Sequence, residues 1–399
     1  MQLDLGNLRF DEGGHLLLKR ALKQVAVGEE VEVCGRGADL EVHLDAWART
    51  EGHGVRWNNA DTNVKHALVR RGTAEADRWS GAERAGHTDP FQADGVLEKP
   101  PRRWGLAARG ATVEAGSPEY GFTLTTKSKV WANDAIQLYA QAVAAQWNPN
   151  TAVPWDSDFE LPDEIEDAIV QVMTYLIENE TAALIIPSRF VAQLHPHFRE
   201  VMQLLAIQAA DEARHVEVFT RRARLKREHL GLSTAGGQKS LKTLVDEPDF
   251  STASFLLSVL GEGTFLTLLR FLERHAPDPI TKTATRLAAQ DEARHVAFGV
   301  AHLREQMVRD SGLRSRLAQA VRRRHEELHH TVELNVEVFD ALTLLAAGSW
   351  NHDALRNGSL RVNKLLKDMD EARQGQLKRL GYSKDEAAEL SAIHTRNLM

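Results

Sequence analysis

The chain has 399 residues, 43% apolar and 26% charged, with 49 Lys and Arg against 56 Asp and Glu. At roughly 150 residues per domain this is two or three domains with a large core, and the net charge of −7 opposes nucleic-acid binding, which calls for a basic excess. A single cysteine, Cys34, excludes an internal disulfide and any cysteine-rich zinc or iron–sulfur site. The start, Met-Gln-Leu-Asp-Leu-Gly, has no basic segment followed by an apolar run, and no uncharged apolar stretch approaches the ~20 residues of a membrane span. A reduced, cytoplasmic protein without a membrane partner is expected.

Residues 1–68 alternate compactly. Leu3, Leu5 and Leu8 suggest a strand, and 15–26 reads as an amphipathic helix (Leu16, Leu17, Leu18, Ala21, Leu22, Val25) ended by Gly28. Val31 and Val33 mark a second strand that includes Cys34, Gly35 and Gly37 turn the chain, 40–49 is helical and 55–57 extended. The result is a small β-α-β-α-β domain. Residues 69–127, rich in Gly, Pro, Arg and Ala, read as an irregular connector. Helical periodicity then dominates at 130–146, 162–194, 198–230, 252–275, 280–309, 313–347 and 359–397, the last broken near Gly381. A helical bundle over 128–350 with C-terminal helices, 351–399, packed on it is expected. His195-Pro196-His197 and Ala276-Pro277-Asp278-Pro279 each divide a helix pair into an antiparallel hairpin. The link at 231–250, with Gly231, Gly236, Gly237 and Pro248, suits a long crossover.

Asp211-Glu212-Ala213-Arg214-His215 recurs letter for letter as Asp291-Glu292-Ala293-Arg294-His295. Glu and His three apart share one helix face. That face is otherwise apolar: Val201, Leu204 or Leu205, Glu212, His215 and Phe219 in the first copy, and Leu287 or Ala288, Glu292, His295 and Val296 in the second. A lone carboxylate buried there costs several kcal/mol, so it needs partners. The preceding helices supply them. On 162–194 the inward stripe is Ile165, Ile169, Val172, Leu176, Glu180, Ala183, Pro187; Glu178 lies on a more polar face with Gln171 and Thr174, and Glu180 is preferred. On 252–275 the stripe Phe255, Val259, Glu262, Leu266, Leu269 places Glu262 alike. Each glutamate lies about as far from its interhelical turn as its partner does, so each pair meets at one height.

The six candidate ligands are therefore Glu180, Glu212, His215, Glu262, Glu292 and His295. Four carboxylates against two divalent cations sum to zero, so the cluster is buried neutral with metal; without it the carboxylates repel and take up protons. Oxygen-rich ligation with one imidazole per ion suits two iron ions, or manganese, or a mixed pair, better than structural zinc. Asp211 and Asp291 are expected to fix the imidazole tautomers across the pair, with Arg214 and Arg294 as their ion-pair partners.

On these motifs the chain resembles the ferritin-like di-iron carboxylate oxygenases and oxidases over about 160–310, and the Asp-Glu-x-Arg-His form is similar to soluble bacterial hydrocarbon monooxygenase hydroxylases and acyl-carrier-protein desaturases. The resemblance implies a mainly α fold: a ferritin-like four-helix bundle with extra C-terminal helices and a small N-terminal α/β domain. It departs from relatives at three places. Phe219 stands where radical-bearing ribonucleotide reductase subunits carry Tyr. Phe265 and Leu266 stand where the hydroxylases and desaturases carry Thr, leaving Thr264 and Thr267 as the nearest hydroxyls and Thr264 as a candidate catalytic group. Ala288 replaces the extra His of the N-oxygenase branch. The first 68 residues resemble a TusA-like sulfur-carrier domain through Leu3-Asp4-Leu5-Gly6 and Val27-Gly28-Glu29, but Phe10-Asp11 occupies the position of its catalytic Cys-Pro. A structural or docking role follows, with Cys34 a small core residue.

Other motifs weigh less. His325-Glu326-Glu327-Leu328-His329 has zinc-protease spacing, but Arg322, Arg323, Arg324 and His330 make its surroundings polar, so a solvated face is expected. Trp147-Asn148-Pro149-Asn150 and Val153-Pro154-Trp155 form an aromatic loop that caps the bundle or lines access to it. Gly261 and Gly263 flank Glu262, each costing close to 1 kcal/mol against Ala, which suggests room for oxygen or substrate, or a bulged turn. The expected function is oxidation of a small organic substrate (hydroxylation, desaturation or N-oxygenation) by O₂ at the metal pair. An external electron donor is needed because no flavin or nicotinamide fingerprint is present, and a homodimer is expected. The alternatives are a ferroxidase or metal-storage protein, which the extra N-terminal domain and connector oppose as a closed cage, and a metal-stabilised interaction module.

Overall fold

The computed structural model describes residues 1–58, 64–73, 79, 81–329 and 336–394. Met1–Val96 with Pro101–Tyr120 forms one unit, and Leu97–Pro100 with Gly121–Met399 the other.

In the first unit β1 (Gln2–Asp4), α1 (His15–Leu22), β2 (Glu30–Gly35), α2 (Leu40–Thr50), β3 (Gly54–Asn58) and β4 (Lys65–Arg70) follow in order, and the sheet runs β1-β2-β4-β3. Only β1 and β2 are parallel. Leu18, Leu22, Leu40 and Leu44 from the helices cover Val31, Val33, Ala67 and Val69 of the sheet. Strand β4 is an addition to the expected unit: its inward residues are only Ala67 and Val69, a weak alternation, yet it pairs with both β2 and β3. Cys34 is buried at the end of β2, its Sγ donating to the Leu3 carbonyl at 3.7 Å. Much of the stretch read as a connector folds within this unit. There β5 (Glu83–Arg84) pairs antiparallel with β6 (Thr112–Val113), and Trp104 is buried. Two-residue strands hold by backbone hydrogen bonds and leave no periodicity to read.

The second unit is helical: α3 (Lys127–Val130), α4 (Ala135–Ala144), α5 (Asp163–Val191), α6 (Arg199–Ala223), α7 (Ala235–Val245), α8 (Phe250–Ser254), α9 (Glu262–His275), α10 (Pro279–Arg309), α11 (Leu313–Leu328), α12 (Val336–Ala347), α13 (His352–Arg379) and α14 (Lys384–Ile393). A π-helical segment, Phe255–Gly261, joins α8 to α9. The hairpins α5–α6 and α9–α10 pack side by side through α6 and α10, while α4 lies over both, α12 on α5, and α13 on α9 and α12. This unit is a four-helix bundle with additional helices, and the chain is mainly α with a smaller α/β unit, as expected.

Local chemistry explains the boundaries. Asp278 accepts from the Thr281 amide at 2.8 Å and Pro279 opens α10, a cap followed by a proline. Gly381, at φ +85, turns the chain out of α13, and a Ser383/Glu386 capping box starts α14. The crossover holds a helix that the glycine-rich sequence concealed: Thr234 caps α7 by accepting from the Gly237 amide. The continuous helix expected at 313–347 is α11 and α12; residues 330–335 lie outside the described residues.

Two helical stretches, Asp163–Val191 and Phe250–His275, are long and apolar enough to cross a membrane by length and composition, although charged residues such as Glu180 and Glu262 interrupt them. Most of their apolar residues fill the bundle interior, with 67% and 89% of the respective windows buried.

Helix α13 approaches α12 closely at Gly358. A Cβ on Gly358 would lie 2.3 Å from the Thr343 carbonyl oxygen and 3.0 Å from Ala347. Gly358→Ala is expected to force the helices apart at a cost of about 1–3 kcal/mol, seen as a lower melting temperature. Gly375→Ala on the same helix, with nothing within 4 Å, should be neutral or stabilising.

Candidate metal centre

Six polar side chains converge inside the bundle. Glu180 comes from α5, Glu212 and His215 from α6, Glu262 from the first residue of α9, and Glu292 and His295 from α10. None is more than 3% exposed. The helical stripes deliver them: Glu180 follows Ile169, Val172 and Leu176 on the buried face of α5, and Glu212 and His215 lie between Leu205 and Phe219 on that of α6. The π-helical segment ends immediately before Glu262, giving the bulged turn its flanking glycines suggested. Leu269 is buried as expected, but Leu266, expected on the same inward stripe, is only half-buried, and Phe265 and Leu268 face the interior instead.

Candidate ligand atoms of Glu180, Glu212, His215 and Glu292 lie within 4.8 Å of one another, as do those of Glu212, Glu262, Glu292 and His295. Glu212 and Glu292 belong to both groups. Each imidazole turns Nδ1 towards the carboxylates. His215 Nδ1 is 3.2 Å from Glu212 Oε2 and 3.4 Å from Glu180 Oε2. His295 Nδ1 is 3.2 Å from Glu292 Oε2, and 3.0 Å from Glu212 Oε1 without the direction of a hydrogen bond. One oxygen each of Glu180, Glu212, Glu262 and Glu292 accepts no hydrogen bond although buried. Orphaned anionic oxygens in a dry interior are costly, and these converge on shared points. The donor set fits two oxygen-seeking divalent cations.

The titration behaviour of the bare cluster follows from this crowding. Burial, then the charges of Glu292 and Glu180, raises Glu212 well above the usual carboxyl range. Burial and Glu292 push Glu262 up to about 8. Burial also raises Glu292, partly opposed by His295. For Glu180, burial is outweighed by His215, and its value falls. Both imidazoles are raised well above their ordinary value, burial being overcome by Glu180 at His215 and by Glu212 and Glu292 at His295. The protons stand where cations fit.

The aspartates that open the two motifs cross the bundle. His215 Nε2 lies 3.1 Å from Asp291 Oδ2, and His295 Nε2 3.3 Å from Asp211 Oδ2, so each motif's aspartate serves the other's imidazole. Arg214 pairs with Asp211 and reaches Asp291 Oδ2 at 3.1 Å; Arg294 pairs with Asp291 and lies 3.7 Å from Asp211 Oδ2. Against burial, the hydrogen bond from His215 holds Asp291 below the carboxylate range, and that from His295 does the same for Asp211.

The loop after α4 seals this layer. Trp147 Nε1 donates to Asp291 Oδ2 at 2.8 Å, its ring stacks on His215 at 6.4 Å between centroids, and the Arg214 guanidinium lies over it. Gln146 donates to Asp211 Oδ1 at 2.8 Å and accepts from Arg214. Gln146 is absent from the sequence reading, as is Gln208, whose Nε2 donates to Glu262 Oε1 at 3.2 Å. Gln208 had a signal: it sits one turn before Glu212 on an apolar stripe.

Other candidates lie elsewhere. Glu178 is half-buried and outside both clusters. The Thr264 hydroxyl donates to the Leu260 carbonyl at 2.6 Å, which commits its proton to the helix backbone. His325, Glu326 and Glu327 on α11 and His329 just after it are exposed, the expected solvated face, and His330 lies outside the described residues.

A bundle with two Glu-x-x-His turns and two further inward glutamates has the architecture of a dinuclear carboxylate protein. No family model and no curated protein matches the chain. Among solved structures it is similar to an R2-like ligand-binding oxidase with an aerobically reconstituted Mn/Fe cofactor, at 18% identity, 64% of this chain, 93% of that one and a TM-score of 0.43. A variant of that oxidase with an Fe/Fe cofactor gives 19% identity, 64% and 94% coverage, and a TM-score of 0.45.

Proposed function

We propose that this chain is a non-haem dinuclear metal oxidase or oxygenase: Glu180, Glu212, His215, Glu262, Glu292 and His295 hold two ions, iron, manganese or one of each, and O₂ is used to oxidise a small organic substrate. The observation that carries the proposal is the set of four buried carboxylates, each with an oxygen lacking a hydrogen-bond donor, around two imidazoles whose Nδ1 atoms face them. In their reduced state the bound ions supply electrons to O₂. The protein's own contribution is placement and dryness. Asp291 and Asp211 keep each Nε2 protonated, leaving Nδ1 to bind metal. Phe219 and Trp147 pack against His215 and exclude water from that side. Turnover requires electrons from a separate donor. The N-terminal unit, with Phe10 and Asp11 at the sulfur-carrier nucleophile position, serves on this reading as a structural or docking module.

Metal analysis after reconstitution should return about two iron or manganese ions per chain, and Glu212→Ala combined with Glu292→Ala should abolish them along with O₂ consumption by the ferrous-loaded protein. Zinc alone, or metal content unchanged in that variant, would overturn the proposal. Iron oxidation in a 24-subunit shell without organic product would mark a storage protein instead. Asp291→Asn is expected to weaken metal binding by about 10–100-fold, read by chelator competition, with the circular dichroism spectrum unchanged.

A further inference from the structure

A groove runs along the outer side of the metal-bearing hairpin, between α9, α10 and α13. Its larger part has a volume of about 680 Å³, within the range of small-molecule sites. Gly263, Leu266, Ala293, Val296, Ala297 and Val300 make an apolar wall. Gly263, Ala293 and Val296 each follow a candidate ligand directly in the chain: Glu262, Glu292 and His295. A Cβ built on Gly263 would meet only the flexible Gln376 side chain at 3.7 and 4.0 Å and the Ser258 carbonyl at 4.0 Å, so this glycine keeps the groove open next to Glu262.

The second part, about 340 Å³, shares Thr267 and Arg270 with the first and is different in kind. Arg270, Arg274, His275, Arg361 and Lys364 line it against one carboxylate, Asp368, which Lys364 already binds at 2.8 Å. In a chain of net charge −7 this is a concentrated cationic patch. Among the described residues no hydrogen bond or ion pair engages Arg270 or Arg274, and Arg304, on the rim of the apolar part, is equally free. The crowding shows in His275: burial, then Arg361 and Arg274, holds its imidazole below the ordinary value.

We infer that the groove binds an apolar chain carrying a phosphate-class head, the head held by Arg270, Arg274, Arg361 and Lys364 and the chain laid along α9 and α10 towards Gly263. Two unpartnered guanidinium groups, Arg270 and Arg274, beside Arg361, whose Nη1 also donates to the Ala346 carbonyl at 2.6 Å, and Lys364 suit a multiply charged oxyanion rather than a neutral polar group. The apolar wall, which reaches Gly263, the chain neighbour of Glu262, suits the alkyl part. This inference rests on the proposed oxidase reading and supplies its substrate class.

The test is calorimetric, on metal-free full-length protein, with decyl phosphate as the probe. Decyl phosphate should bind saturably, once per chain, at least about tenfold tighter than decanol or inorganic phosphate, and weaken as salt rises from about 0.05 to 0.3 M. Arg270→Gln should lose about tenfold. Gly263→Leu should lose decyl phosphate while keeping butyl phosphate, which separates a filled groove from a damaged fold. Equal binding of decanol and decyl phosphate, an unaltered Arg270→Gln, or no saturable binding would overturn the inference. Co-sedimentation with phosphatidic acid vesicles without binding of monomeric decyl phosphate would also overturn it, identifying a membrane contact. Because the protein is metal-free, a failure here leaves the metal count of the loaded protein untouched, and loss of metal in the Glu212→Ala, Glu292→Ala variant leaves decyl phosphate binding as the independent reading.

Discussion

Stripping the metal is expected to leave a protein whose melting temperature falls as pH rises from about 5 to above 8, the reverse of ordinary acid sensitivity. The sign follows from the cluster. Glu262 has an ordinary value of 4.5 and a folded value of about 8, and Glu212 and Glu292 are also raised. A carboxyl of this kind holds a proton in the fold that it would release on unfolding. Its contribution is complete below the ordinary value and is lost as pH climbs through the folded one. His215 and His295, also raised, lose theirs in the same direction as pH climbs beyond their ordinary value of 6.5. On the acid side, Glu180, Asp211 and Asp291 are lowered, so their stabilisation, present above the ordinary carboxyl range, disappears as pH falls through their folded values. The metal-free protein should thus be most stable in mildly acidic solution and lose roughly 5 °C or more towards pH 8.5. Cations replace the protons, so the increment from saturating Mn²⁺ should grow with pH. Thermal melts across pH, with and without metal, measure both slopes; a metal-free melting temperature rising from pH 5 to 8 would refute the account.

Arg222→Ala is expected to destabilise the bundle about as strongly as any single substitution away from the cluster. Arg222 is fully buried on α6. Its guanidinium donates to both carboxylate oxygens of Glu166 on α5, at 2.6 and 3.0 Å, and to Asp278 Oδ2 at 2.9 Å and Thr281 Oγ1 at 3.0 Å at the start of α10. One side chain therefore ties both hairpins together at one end. Truncating it strands two buried carboxylates, a loss of about 3–5 kcal/mol, or roughly 10 °C in melting temperature. The check includes a compensated variant: Arg222→Met with Glu166→Gln removes a charge from each side and should recover part of the loss. If Arg222→Ala melts like the parent, the pair is not structural.

The helical half of the chain was legible because its signals are local and repeated. The 3.6-residue stripes and each copy of the duplicated pentapeptide lie within single helices, the two proline-marked turns lie between consecutive ones, and a glutamate on an otherwise apolar stripe is conspicuous without knowledge of what it faces. The N-terminal unit was legible only in part. Strand β4 buries little beyond Ala67 and Val69, and its place between β2 and β3 comes from pairing with the distant residues of β2 as well as with neighbouring β3. The β5–β6 pairing and helix α7 hid in glycine-rich sequence, where backbone hydrogen bonds and a Thr234 cap do the ordering and composition says loop.

Sequence by itself determined the long helices of the two hairpins and that Glu180, Glu212, His215, Glu262, Glu292 and His295 turn inward, because helical phase is set by each segment's own residues. Tertiary structure alone decided how those groups meet: that Glu212 and Glu292 belong to both clusters, that Gln146, Trp147 and Gln208 complete the surroundings, and that Arg222 links the two hairpins, whereas the crossing of Asp211 and Asp291 to the other motif's histidine was already expected. These are relations between helices. They depend on how the hairpins pack and where the π-helical segment shifts the chain before Glu262, and no spacing within one segment encodes them.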